Sequence, residues 1–136
     1  MKPIYQNDRI RIEIEFSEVP WLKIFTHEPY KEFSEAPENV RLEIFYLLDI
    51  IEKEMISFFD PDKINIASFG NYLPHLHWHI MARFQTDSYF PEPMWGTKQR
   101  KGSYILENFE IFIQELQAKL KVRDEEQDRD RSRDYS

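Results

Sequence analysis

Four histidines occur in the chain, and three of them, His75, His77 and His79, alternate with Leu76, Trp78 and Ile80. Imidazole is the side chain whose ordinary pKa lies closest to neutrality, so a cluster of three can move protons, ligate a metal or attack an electrophile. Successive side chains of a strand point to opposite faces, which puts the three rings on one face and Leu76, Trp78 and Ile80 on the other. Neighbouring rings are then attached roughly 6.6 Å apart. The apolar set packs into the core, and a slip of one residue would bury all three imidazoles, so their placement is strongly specified. Three readings are open on the residues alone. The rings can be structural or merely solvated. Two of them can share a zinc ion, although no completing ligand is evident: His27 is the only other histidine, and Asp87 and Glu92 lie beyond a turn. Alternatively, one imidazole attacks a phosphoryl group while its neighbours supply protons or charge.

Two hydrophobic periods alternate in the elements that must position these rings. Ile10, Ile12, Ile14 and Phe16 alternate with charged residues, the pattern of a strand with one buried face. Val19-Pro20 marks a turn, and Trp21 to Thr26 reads as a second strand stopped at Glu28-Pro29. Pro37 suits the first turn of a helix on which Val40, Ile44, Leu47, Leu48, Ile51 and Met55 follow at helical spacing. That helix is expected to end near Phe59, before Asp60-Pro61. Ile64 to Phe69 reads as a third strand, Gly70-Asn71 as a turn, and His75 to Phe84 as a fourth strand. A proline-rich loop, Pro91 to Gly96, is followed by the basic cluster Lys98, Arg100 and Lys101. A second helix is expected from a cap near Ser103, burying Ile105, Phe109, Phe112, Ile113, Leu116 and Leu120. The class predicted is α+β, an antiparallel sheet with two main helices.

Composition narrows the function classes. The chain has 136 residues, 41% of them apolar and 15% aromatic, and no cysteine, so disulfide frameworks and cysteine-ligated metal sites are excluded. Its 25 acidic and 18 basic residues give a net charge of −7, which argues against general nucleic-acid binding, since affinity for a polyanion rests on lysine and arginine. The amino end lacks the apolar core of a signal peptide and no run is long enough to span a membrane, so a cytoplasmic protein is expected. From Asp124 to Ser136 no aliphatic residue occurs. Residues 1–123 are therefore read as one domain and 124–136 as a charged, disordered tail, with prolongation of the preceding helix by charge pairing as the alternative. Six acids and three arginines in that tail leave −4 on the remainder.

The run His75-Leu76-His77-Trp78-His79-Ile80-Met81 resembles the signature of the histidine-triad (HIT) proteins, in which three histidines alternate with apolar residues; every position matches. The stretch from Pro61 to Pro74 and the loop Pro91-Glu92-Pro93-Met94-Trp95-Gly96 are similar to a short-chain bacterial branch of that family. The resemblance extends from about Ile10 to Leu120. It implies a HIT-like fold, commonly homodimeric, that binds a small-molecule nucleotide and acts as a nucleotide hydrolase, phosphoramidase or transferase. It further implies that His77 is the nucleophile, attacking the α-phosphorus to form a nucleotidyl-histidine intermediate. His79 would donate to the leaving group or a phosphoryl oxygen, and His75 would order the network. No metal and no cofactor are implied.

By the same resemblance Asn65 and Asn71 are nucleotide- or phosphate-binding candidates. Asn71 follows Gly70 where relatives often have glutamine, and Tyr72 stands where many have serine or threonine. His27 falls near a region where some relatives carry a histidine that buttresses the triad. Glu15 or Glu18 could meet ribose hydroxyls, and Trp95 could close the site. Arg83, Lys98, Arg100 and Lys101 could attract a polyphosphate, or be ordinary solvated charges.

Overall fold

The computed structural model describes residues 2–134. Its strands are β1 (Tyr5–Gln6), β2 (Ile10–Ile14), β3 (Trp21–Thr26), β4 (Lys63–Ala67) and β5 (His77–Arg83), and its helices are α1 (Glu38–Phe59) and α2 (Phe109–Asp134). All strand pairs are antiparallel, in the order β1-β2-β3-β5-β4. The class is α+β, as the two periodicities predict. Among the described residues, no helix is long and apolar enough to cross a membrane.

One face of the sheet presents Ile10, Ile12, Leu22, Ile24, Ile80 and Ala82, all fully buried. They pack in one cluster with Ile44, Leu47, Ile51 and Met55 of α1 and with Phe112, Leu116 and Leu120 of α2. Each of the Ile, Leu, Met and Phe side chains contributes about 1.5–3 kcal/mol by leaving water. The first helix begins after Pro37, and it ends at Asp60, which takes the left-handed conformation (φ 49°) and returns its N–H to the carbonyl of Ile56. Asp is among the few residues that tolerate that conformation, and Pro61 then prevents further helix. The sequence reading of this element holds at both ends.

Elsewhere the structure departs from the sequence reading. Strand β1, only two residues long, was not anticipated, and the fourth strand starts at His77, so His75 precedes it. The second helix starts at Phe109, six residues beyond the expected cap at Ser103. The reason is that the intervening chain is tied back to the loop after β5. The N–H groups of Ser103 and Tyr104 donate to the carbonyl of Thr86, and the Tyr104 ring stacks on Phe84 with centroids 3.7 Å apart. Gly102 lies so close to Ser88 that an added Cβ would stand 2.6 Å from its Oγ. At its other end α2 runs on to Asp134. The helical alternative for the charged segment is the one seen as far as that residue; the last two residues of the expected tail lie outside the described residues. Asp124 accepts a bond from the Tyr5 hydroxyl, and Arg123 pairs with Glu43 of α1 at 2.8 Å.

The loop after β5 is organised by an ion pair. Arg83, read from the sequence as a surface cation, is 1% exposed, and Asp87 is fully buried. The guanidinium donates twice to the Asp87 carboxylate (2.9 and 3.0 Å), once to Asn65 Oδ1 and once to the carbonyl of Glu92. Asp87 also accepts the N–H groups of Phe84, Tyr89 and Phe90. Burial alone would raise the Asp87 pKa. The bond from Arg83 and the three backbone donors outweigh it and hold the group at about 2. Because this folded-state value lies below the ordinary one, the associated stability is present above pH 4 and is lost as pH falls from about 4 towards 2. Asp87→Asn should lower the unfolding free energy by about 3–5 kcal/mol, since it leaves a buried guanidinium without its counter-charge. It should also remove the acid loss between about pH 4 and 2. Urea titrations across that range check both, and an unchanged midpoint at neutral pH would refute the assignment.

Candidate active site

Pairing between β3 and β5 places Phe25 opposite His77, Lys23 opposite His79 and Trp21 opposite Met81. All of these side chains share the sheet face turned away from the core helices. The His77 ring stacks on Phe25 (centroids 4.8 Å, planes 18° apart) and meets His79 edge-on at 5.0 Å. Its Nδ1 lies 2.7 Å from the carbonyl oxygen of His75. A carbonyl only accepts, so Nδ1 carries the proton and the lone pair of the neutral ring is on Nε2.

His79 has the opposite tautomer. The Trp21 indole N–H donates to Nδ1 of His79 over 3.0 Å, and because indole has no acceptor, Nδ1 must hold the lone pair and Nε2 the hydrogen. His79 is 8% exposed. Burial, followed by Coulombic repulsion from His77 in its protonated form and from Lys23, lowers its pKa to about 4. The histidine preceding the strand makes contacts through both its ring and its backbone. The His75 ring donates from Nε2 to the carbonyl of Thr26 (2.6 Å), and its backbone carbonyl, rather than its ring, orients His77.

A cavity of about 360 Å³ opens over the two strand histidines, lined by Phe69, Gly70, Asn71, Tyr72, Leu73 and Trp95 besides His77 and His79. Gly70 takes a positive φ of 72°, which suits glycine and turns the chain so that this loop rims the site. Trp95 stands edge-on to His79 (4.8 Å), Trp21 (5.2 Å) and Phe69 (4.8 Å), so it closes the far wall.

The structure thus gathers His77, His79, Asn71 and Trp95 around one cavity. Asn65 shares the triad's sheet face, opposite Met81, but its side-chain oxygen is engaged by Arg83. Other residues singled out from the sequence are occupied elsewhere. His27 points its Nε2 at the carbonyl of Asn7 (2.6 Å), away from the triad. Glu18 accepts the N–H and hydroxyl of Ser88, Glu15 pairs with Lys23 at 3.1 Å, and Arg100 donates to the carbonyl of Asp87. Trp21 and Phe25 were not singled out. Their alternation with Lys23 marks a common face, but only the strand register shows that this face meets the histidines. Among the described residues, no three His, Asp or Glu side chains are grouped to hold a metal ion.

The HIT domain family model matches residues 4–86, more than half of the chain. The chain belongs to the HIT domain family. Among solved structures, this HIT chain is similar to a histidine triad protein from Bradyrhizobium japonicum, with 25% identity and a TM-score of 0.71 over 86% of this chain and 88% of that one. A histidine triad protein from Sinorhizobium meliloti matches at 24% identity and a TM-score of 0.69, covering 83% and 87% of the two chains. One from Marinobacter aquaeolei matches at 22% and 0.71, covering 88% and 90%. A search of curated proteins finds no match to the chain. Membership and fold agree with the expectation drawn from the histidine run.

The depressed pKa of His79 has a thermodynamic consequence. The unfolded chain binds a proton near pH 6.5 that the folded chain refuses until about pH 4. Stability contributed by the neutral ring is therefore complete above pH 6.5 and is lost as pH falls through that window. His79→Gln should abolish this component while leaving the lower-pH component of Asp87 in place. Denaturant titrations between about pH 7 and 4 check it; a slope unchanged in the variant would rule out His79 as the source.

Proposed function

We propose that this HIT chain is a nucleotide hydrolase or nucleotidyl transferase acting on nucleoside phosphate derivatives through a nucleotidyl-His77 intermediate. The observation that carries the reading is the bond from His77 Nδ1 to the His75 carbonyl. It leaves Nε2 as the free lone pair of a ring clamped against Phe25, beside a cavity whose size is within the range of small-ligand sites. The Nε2 lone pair forms a bond to the α-phosphorus as the bond to the leaving group breaks, the leaving atom keeping the electron pair. Water or another acceptor then attacks the same phosphorus, the N–P bond breaks and His77 recovers its lone pair. His79 Nε2–H donates a hydrogen bond to the oxygens on which charge develops. Asn71 at the rim contacts the phosphate, and Phe69, Leu73 and Trp95 offer apolar surface to the nucleoside. The scheme calls on no metal or cofactor.

His77→Ala should reduce turnover by about 10³-fold or more while changing stability by less than about 1 kcal/mol, since the ring is outside the core. Incubation with an adenosine phosphoramidate and with a dinucleoside polyphosphate, quenched during turnover, should leave one nucleotidyl group on the peptide that contains His77. Near wild-type activity of the variant would refute the nucleophile. Binding of AMP without turnover of either compound would establish a binding module in place of an enzyme.

The reading includes a homodimer. Leu42, Phe45 and Tyr46 form an exposed apolar stripe on α1, Ile66 is exposed on β4, and β4 has a neighbour on one side only. Apolar surface beside an unpaired strand edge is what a second copy would cover. Sedimentation should report a dimer, and Tyr46→Lys should shift it to monomer; a monomeric wild type at micromolar concentration would exclude the arrangement.

A further inference from the structure

The bond between Trp21 and His79 has a chemical implication beyond orientation. An imidazolium carries hydrogens on both nitrogens. Protonating His79 would set its new Nδ1–H against the indole N–H at 3.0 Å and destroy the hydrogen bond that Nδ1 accepts. Trp21 cannot turn away freely, because it is itself 8% exposed and is held edge-on by Trp95. The cation facing His79 also opposes a second proton: Lys23 lies opposite it on β3, and the neutral His77 ring beside it on β5 offers no negative charge to hold one. On its other side β4 contributes Ala67 and the loop contributes Trp95, neither of which is charged. Of the carboxylates on this face, Glu13 lies opposite Lys23 and is paired with Arg11, and Glu15 is paired with Lys23.

We propose that Trp21 is a specificity-determining positioning residue that fixes His79 as a neutral Nε2–H donor and thereby restricts the reaction to leaving groups that depart as anions, favouring phosphoanhydrides over phosphoramidates. The inference rests on the assignment of His77 as nucleophile. When His77 Nε2 bonds to the α-phosphorus of a phosphoanhydride, the breaking P–O bond leaves its electron pair on a phosphate oxygen. That oxygen is stable as an anion and needs only the hydrogen bond that His79 Nε2–H supplies. When the bond broken is P–N, the electron pair falls on an amine nitrogen, which must gain a proton to leave. A neutral imidazole whose other nitrogen is occupied by an indole N–H has no proton to give at neutral pH, so that proton must come from solvent. Tautomer control by one hydrogen bond thus becomes a choice between two substrate classes.

The experiment has two parts, read on the same protein. Long-range proton–nitrogen spectra of imidazole-labelled protein between about pH 5 and 8 report the His79 tautomer with no substrate present. They should show a bare Nδ1 and a protonated Nε2 throughout in the wild type, and a tautomer mixture that titrates in Trp21→Phe. Kinetics on an adenosine phosphoanhydride and an adenosine phosphoramidate should favour the anhydride by at least about 10²-fold in kcat/KM after correction for uncatalysed rates. Trp21→Phe should narrow that ratio at least about tenfold, mainly through a gain in kcat for the phosphoramidate at acid pH. A wild-type His79 that carries its proton on Nδ1, or is an imidazolium at neutral pH, overturns the proposal. So does a wild type that prefers the phosphoramidate, or a ratio unmoved when the tautomer changes. Both wild-type measurements stand if Trp21→Phe does not fold. Turnover of neither compound overturns the hydrolase reading and the leaving-group rule with it, whereas the spectra decide the tautomer in either case.

Discussion

The antiparallel register between β3 and β5 is the constraint on which the site depends. Because Phe25 meets His77 and Lys23 meets His79, a stacking platform, a positive charge and an indole donor all arrive beside the histidines from a single neighbouring strand. A shift of one residue would turn the apolar set outward, which the core forbids. A shift of two would keep the core intact but would set either Lys23 or His27, in place of Phe25, opposite His77. The burial of Leu22, Ile24, Ile80 and Ala82 on the reverse face cannot alone discriminate against that second error, because apolar residues repeat there with the same period. The proline turn before Trp21 and the tie from Ala82 N–H to the Pro20 carbonyl anchor the pair at one end and decide between the two registers.

At that same end of β5 the chain stops being sheet and becomes an irregular wall. Residues 84–102 have no ladder to satisfy their backbone groups, and the buried carboxylate of Asp87 substitutes for one by accepting three N–H groups as well as the guanidinium of Arg83. An isolated buried ion pair tends to return less Coulombic energy than its desolvation costs. Here the pair has further work: with the Arg83 bonds to Asn65 and to the Glu92 carbonyl, it holds the segment whose next aromatic residue, Trp95, leans on His79. The tautomer-selecting bond from Trp21 is shielded from water by a wall whose own shape is electrostatic.

Much of this was legible in the sequence where the physical signal is local. The bounds of β3 and α1, the apolar stripes and the shared face of His77 and His79 follow from side-chain periodicity and from the stop signals Glu28-Pro29 and Asp60-Pro61. Long-range pairing was not legible. Strand β1 is two residues long and has no period to detect, and the late start of α2 is set by Tyr104 stacking on Phe84, a contact between segments about twenty residues apart in the chain. Arg83 looks like any surface cation until the fold buries it with Asp87. In the site, the histidine run announced its own chemistry, whereas Trp21, Phe25 and the His75 carbonyl became functional candidates only through register, and Asn65 is committed to an arginine that sequence spacing could not connect to it.

The two rims of the sheet are finished differently. Along β1 the strand is very short, the Tyr5 hydroxyl is held by Asp124 of α2, and Gln117 of the same helix donates to the carbonyl of Ile4, so the last helix acts as a clasp on that border. Along β4 no equivalent clasp exists among the described residues. A sheet with one fastened border and one open border can be extended once, by a copy related through a two-fold axis, after which both outer borders are fastened ones. The charged extension of α2, which contributes little to the core, thus has work at the border of the sheet: through Asp124 it fastens β1 and leaves β4 as the edge without a clasp.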